Sequence, residues 1–183
     1  SNTTGANNSA MGLNALNNNT TGNSNSAVGY QALYYNTTGS SNSAVGQEAL
    51  KSNTTGSSNS ATGYRALFSN TTGVYNSAMG LNALHSNTTG TKNIGLGVGA
   101  GDAITTGSNN TIIGDYAGTA ALADTVVIAA GTTERLKVDA SGLSINGTAL
   151  TDVLIGVGQT WQDLTSTRTW GVSYTNTTGK PIQ

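Results

Sequence analysis

Apolar positions in this chain follow neither a helical spacing nor a simple alternation; they return in columns every 17 residues. Asn-Thr-Thr-Gly begins at Asn2, Asn19, Asn36, Asn53, Asn70 and Asn87, and Ile104-Thr105-Thr106-Gly107 continues the series with one substitution. Between these strings a second motif recurs in register, as in Asn25-Ser26-Ala27-Val28-Gly29-Tyr30-Gln31-Ala32-Leu33. The pattern predicts seven coils that end near Gly118.

Three columns never vary or vary little. Gly12, Gly29, Gly46, Gly63, Gly80, Gly97 and Gly114 are constant, which points to a positive φ or to a backbone with no room for a Cβ. Asn8, Asn25, Asn42, Asn59, Asn76, Asn93 and Asn110 are constant too, and stacked Asn side chains hydrogen-bond amide to amide. Ala15, Ala32, Ala49, Ala66, Ala83, Ala100 and Ala117 form a small-residue column with Leu16, Leu33, Leu50, Leu67 and Leu84 beside it. A further column, Met11, Val28, Val45, Thr62, Met79, Leu96 and Ile113, is mostly apolar.

Seventeen residues are too few for a helical repeat. Short β-segments punctuated by Gly and Asn turns fit instead. The expected architecture is therefore all-β: a parallel β-solenoid (β-roll) with the segment around Ser26-Ala27-Val28 as its principal strand. Seven coils at about 4.8 Å per rung give a rod roughly 34 Å long. In an extended segment neighbours face opposite sides, so adjacent Ala and Leu would send one inward and one outward. An outward Leu column needs a partner, which makes Leu16, Leu33, Leu50, Leu67 and Leu84 the candidate core of a homotrimer. A monomeric solenoid with one greasy face is the alternative.

Composition sharpens this picture. Only 8% of residues are charged and 5% aromatic, and much of the 36% counted as hydrophobic is Ala. One globular core of such residues cannot offset the ordering entropy of the chain, which leaves disorder or repeated stacking. The net charge of −1 comes from scattered single charges, with no basic stripe for nucleic acid. No apolar run reaches bilayer-spanning length, so a membrane-embedded chain is not expected. No signal peptide opens the chain, and its ends lie within repeats and strands, so it reads as an excerpt of a longer protein. Without cysteine, disulfides and thiolate metal sites are excluded.

Three regions are expected: a repetitive shaft over 1–118, a hairpin and strand connector over 119–153, and the start of a β-rich tip over 154–183. Thr125 to Ala130, Gly131-Thr132-Thr133 and Glu134 to Val138 read as a hairpin, and Gly142 to Asn146 as a further strand. Trp161 and Trp170 are the large anchors of the last region.

Catalytic patterns are missing from the sequence. The single histidine, His85, lies in a permissive column with Asn17, Tyr34, Lys51, Phe68 and Asp102, and is expected to face solvent. Asp102 and Asp115 fall in different columns, so the repeat sets up no carboxylate pair for glycoside hydrolysis. Gly95-Leu96-Gly97-Val98-Gly99 lacks the following helix of a dinucleotide loop and sits in register with the coils. No cofactor or metal is expected. Asn36-Thr37-Thr38 and its equivalents are sequons that come with the repeat. Tyr30, Tyr34, Tyr35, Tyr64, Phe68 and Tyr75 occupy variable columns. There, and at Trp161 and Trp170, aromatic faces are candidates for stacking on glycans. Stacked Thr pairs bring ice binding to mind, but adjacent Thr side chains point oppositely in a strand, and the Asn before and Gly after them read as a turn.

The Asn-Ser-Ala-Val-Gly-x-x-Ala-Leu coils with Asn-Thr-Thr-Gly resemble the repeats of bacteriophage tail fibres. Asp124-Thr125-Val126-Val127-Ile128 through Ser141-Gly142 is similar to the segment that follows such repeats. Thr160-Trp161-Gln162-Asp163-Leu164 to Pro181-Ile182 looks like the start of a fibre tip. The resemblance implies a homotrimeric, non-enzymatic fibre of the virion that presents a tip to a host surface glycan or outer-membrane receptor. The coils also resemble the head repeats of trimeric autotransporter adhesins, whose coils are nearer 14 residues; that likeness implies a bacterial cell-surface adhesin instead.

Overall fold

The computed structural model describes residues 3–149, and every regular element among them is a β-strand. Seven three-residue strands come first: β1 (Ser9–Met11), β2 (Ser26–Val28), β3 (Ser43–Val45), β4 (Ser60–Thr62), β5 (Ser77–Met79), β6 (Ile94–Leu96) and β7 (Thr111–Ile113). Each pairs in parallel with the next, Ser on Ser and Ala on Ala through β5, so that one coil advances the chain by one rung. The solenoid read from the 17-residue period is the observed fold.

The strands alternate as an extended chain must. The middle residue of β2 to β5 is an alanine that points into the coil and is fully or almost fully buried. Its two neighbours point out, and the outer columns are mostly Ser on one side and Met, Val, Leu or Ile on the other.

The Gly12 column serves both purposes expected of it. Gly63 has φ +132°, and a Cβ there would lie 2.5 Å from the carbonyl oxygen of Gly80 on the next rung. Glycine is therefore required by backbone conformation and by rung spacing together.

The Leu column reverses the sequence expectation. Leu33, Leu50, Leu67 and Leu84 are completely buried within the single chain, and Leu16 is 6% exposed. Ala32, Ala49, Ala66 and Ala83 beside them are buried as well. Alternation fails because the chain is not extended here: the five leucines have φ of 50–52°. A left-handed residue turns the backbone, so Ala and Leu both face the interior. These leucines are the core of the coil and are not available as an intersubunit core.

The shaft also runs further than Gly118. β8 (Val126–Ala130) pairs in parallel with β7, with Thr111, Ile112 and Ile113 opposite Val126, Val127 and Ile128, after a coil two residues shorter than the rest. It then pairs antiparallel with β9 (Thr133–Asp139), followed by β10 (Gly142–Ile145) and β11 (Thr148–Ala149). The expected hairpin and extra strand are present, but they continue one eleven-stranded sheet instead of forming a separate connector. The expected tip region over 154–183, with Trp161 and Trp170, lies outside the described residues.

Candidate functional site

Two amide ladders run inside the coils. In the first, the Asn25 column, each buried side chain ties its own coil to the backbone of the next. Asn42 Nδ2 donates to the carbonyl of Gly56 at 2.9 Å, while Asn42 Oδ1 accepts from the backbone N–H of Asn59 at 3.0 Å. Asn59 Nδ2 also donates to Asn42 Oδ1 at 3.2 Å. The column ends at Thr125, whose N–H donates to Asn110 Oδ1.

The second ladder is formed by the asparagines of Asn-Thr-Thr-Gly. Asn36 donates to Asn19, Asn53 to Asn36 and Asn70 to Asn53, each from Nδ2 to Oδ1 at 2.7 Å. Each also donates to the glycine carbonyl three residues on, as Asn53 does to Gly56 at 2.8 Å. The ladder stops where Ile104 replaces Asn, and Asn93 Nδ2 takes over the bond to Asn87 Oδ1. The sequence carries the signal for this ladder in the spacing of the Asn-Thr-Thr-Gly asparagine, which is as regular as that of Asn25. Because Asn19, Asn36, Asn53, Asn70 and Asn87 are 0% exposed, these sequons present no amide for glycosylation in the folded coils.

The outer surface carries the remaining chemistry. Along one edge Glu48 is buried beneath two cations: Lys51 Nζ lies 2.7 Å from Oε1 and Arg65 Nε lies 2.6 Å from Oε2. Arg65 in turn sits over the Tyr64 ring at 5.0 Å and the Phe68 ring at 5.2 Å, and Lys51 over Phe68 at 5.5 Å. One rung on, His85 stacks on Phe68, with ring centroids 5.2 Å apart and planes 1° from parallel. The histidine is thus partly covered by an aromatic neighbour instead of standing free in solvent.

The hydrogen bond from Lys51, with that from Arg65, holds the Glu48 carboxyl below its ordinary value against the opposing effect of burial. Burial and the nearby Arg65 charge push the His85 imidazole down, with Asp102 opposing. Glu48 therefore stabilises the fold above the carboxylate's ordinary 4.5, and that contribution is lost as pH falls through its lower folded value. For His85 the unfolded chain takes up the proton first, so stability falls as pH drops below 6.5. Glu48→Gln is expected to lower Tm by a few degrees at neutral pH, in keeping with a partly solvated ion pair. Melting curves taken down to about pH 3 should converge with the parent once Glu48 is protonated; a constant gap would assign the effect to packing.

The sequence-selected aromatics fall on different faces. Tyr64 and Phe68 join the charged edge. Tyr34 and Tyr35 contact each other edge-to-face at 4.6 Å. Tyr30 follows the Gly column in the same position as Tyr64, and Tyr75 stands 63% exposed at a left-handed corner of φ 59°. Asp102 and Asp115, separate in the repeat, both approach Gly99: a Cβ there would lie 2.9 Å from Asp115 Oδ1 and 3.8 Å from Asp102 Oδ2.

The Thr pairs lie in bends, not strands. The first hydroxyl of each pair is used internally, as Thr37 Oγ1 donates to the Thr54 carbonyl at 3.0 Å. That leaves one exposed Thr per rung and no flat two-Thr face, which removes the geometric basis for ice binding. Among the described residues no group of His, Cys, Asp or Glu could hold a metal ion, and no helix is long and apolar enough to cross a membrane.

No protein-family model, curated protein or solved structure matches the chain.

Proposed function

We propose that the chain is a non-catalytic structural and adhesive segment of a homotrimeric bacteriophage tail fibre, working outside the cell as a rigid spacer. The observation that carries the reading is the rod itself. Its coils are locked to one another by backbone pairing, by two amide ladders and by glycines that keep neighbouring rungs in close contact. Such a stack resists bending and sets a fixed distance between whatever lies at its ends. The resemblance of the repeats and of the segment after them to tail fibres supplies the context. The inward-facing Leu column gives no argument for three chains; the exposed apolar column of the sheet supports association of copies, and the resemblance to tail fibres supports three.

Adhesion is assigned to the exposed aromatic side chains, with Tyr64 beside Arg65 as the contact for a host surface glycan; Phe68, covered by His85 and the cations, backs that edge. Sugar rings stack on aromatic faces, and the cations offer hydrogen bonds to hydroxyl or acidic groups.

Native mass by light scattering, beside an unheated SDS gel, tests the assembly. A mass of three times 18.3 kDa that survives SDS is the expected result. A clean 18.3 kDa species at all concentrations would sink the trimeric fibre and leave a lone solenoid.

A further inference from the structure

The terminal hairpin carries its apolar residues on the wrong side for a single chain. A hairpin closing a solenoid ordinarily turns its apolar face toward the core and its polar face to water. Here the face continuous with the interior is polar. Lys137 stands opposite the buried Val127 and pairs with Asp139 at 2.9 Å, and Ser144 hydrogen-bonds Glu134 at 3.1 Å. The face continuous with the exterior is apolar. Val126, Val138 and Leu143 lie opposite one another across three strands, and so do Ile128, Leu136 and Ile145. Val138 is 42% exposed and Ile145 45%.

This surface does not end at the hairpin. Its two columns continue down the shaft through Thr111 and Ile113, then Ile94 and Leu96, and beyond that through a Ser column and the column Met79, Thr62, Val45 and Val28. No charged residue interrupts either column from β1 to β10. Ten strands at about 4.8 Å span roughly 43 Å. Most of the apolar residues in the two columns are exposed, which makes a contiguous band of the kind that marks a protein–protein contact.

We infer that this band is where copies of the chain meet, side by side, parallel and in register, with the hairpin face as the strongest part of the contact. A second copy fits because a surface free of charge meets its own image with no like-charge repulsion. The gradient along the band sets the direction. Parallel copies place Ile and Val against Ile and Val and leave Ser against Ser, whereas antiparallel copies would bury the apolar hairpin against the Ser-rich end. The number of copies rests on the trimeric reading above; the surface and its direction do not.

The chain lacks cysteine, so single-cysteine cross-linking reports the contact without background. Ile128→Cys is expected to form a chain-to-chain disulfide on mild oxidation, since like residues near a shared axis approach within the 4.4–6.8 Å that a disulfide's Cα atoms require, to within about an ångström. Thr38→Cys, in the exposed Thr column of the bends, should not. A second variant, Val138→Lys with Ile145→Lys, should reduce the native mass to 18.3 kDa with an unchanged circular dichroism spectrum. A parent of higher mass whose Ile128→Cys variant does not cross-link overturns the surface and leaves the trimer standing. Cross-linking at position 128 in a parent of twice 18.3 kDa keeps the surface and removes the trimer. A mixed Met11→Cys and Ile128→Cys disulfide between chains overturns the parallel direction, and a monomeric parent overturns both readings.

Discussion

Replacing Gly63 with alanine is expected to destabilise the shaft by on the order of 3 kcal/mol or more. The added Cβ would stand 2.5 Å from the Gly80 oxygen and 2.8 Å from its carbonyl carbon, and it would do so at φ +132°, where L side chains are rarely found. Neither rung is free to move away. Gly63 N–H donates to the Val45 carbonyl at 2.8 Å and Gly80 N–H to that of Thr62 at 2.9 Å, so the clash is clamped between neighbouring coils. Backbone strain of about 1–3 kcal/mol and overpacking of about 1–3 kcal/mol act at the same atom. Against a total stability of order 10 kcal/mol this is a large fraction. Urea midpoints at fixed protein concentration measure it. Gly131→Ala is the control: φ is +61° there, but nothing lies within 4 Å of the new methyl group, and a loss of about 1 kcal/mol is expected. Equal, small losses at both sites would mean that rungs separate easily and that the column answers only to φ.

The repeat revealed the coils because stacking forces like residues onto like positions. Ser26-Ala27-Val28 as the strand, the unvarying Gly column and the Asn25 ladder all follow from that single constraint. The facing of Leu33 did not follow. Alternation holds for extended chain, and nothing in Gln31-Ala32-Leu33 announces left-handed φ values of 54° and 51° at its first and last residues. A signal did exist two coils from the end. In the columns of Gln31 and Leu33 the sixth coil has Gly99 and Gly101, with φ of 66° and 67°. Glycine taking over those two positions marks a backbone that favours positive φ. The same coil shows a compensating pair. Gly101 removes the Leu side chain, and Ile104, standing where other coils have the ladder Asn, fills the space: its Cδ1 lies 3.1 Å from where a Cβ on Gly101 would be.

What faces outward was illegible for a related reason. Once Leu is placed inside, the Met11 and Val28 column is left as the exposed apolar one, but choosing between them needed the turn at Leu33. The polarity of the hairpin was half visible. Leu136-Lys137-Val138-Asp139 alternates cleanly, yet only the pairing of Lys137 with Val127 shows that its charged side continues the interior of the solenoid.

Asn53→Asp is expected to be nearly as costly as the glycine change, and to be repaired by acid. Asn53 is 0% exposed, and its Nδ2 donates at 2.7 Å to Asn36 Oδ1 and at 2.8 Å to the Gly56 carbonyl. On the other side its Oδ1 accepts from Asn70 Nδ2 at 2.7 Å. A carboxylate keeps the contact from Asn70 but turns an oxygen toward two acceptors, inside a coil whose nearby Lys51 is already paired with Glu48. An uncompensated buried charge costs about 3–5 kcal/mol, while Asn53→Ala, which only deletes the bonds, should cost about 1–3 kcal/mol per unsatisfied group. The new carboxyl would respond by shifting upward, because burial and facing oxygens both disfavour its charged form. Its folded value then exceeds the ordinary ~3.9 of aspartate, so the unfolded chain holds the proton less tightly than the folded one. The deficit is therefore smallest below about pH 4 and grows as pH rises through the folded value. A protonated acid donates to one of the two oxygens and restores part of the ladder. Midpoints of Asn53→Asp and Asn53→Ala compared across pH separate the two effects: the Asp variant should approach or pass the Ala variant in acid and fall below it at neutrality. A pH-independent gap between them would mean that water reaches the ladder, and that the buried amides are less sealed than their burial implies.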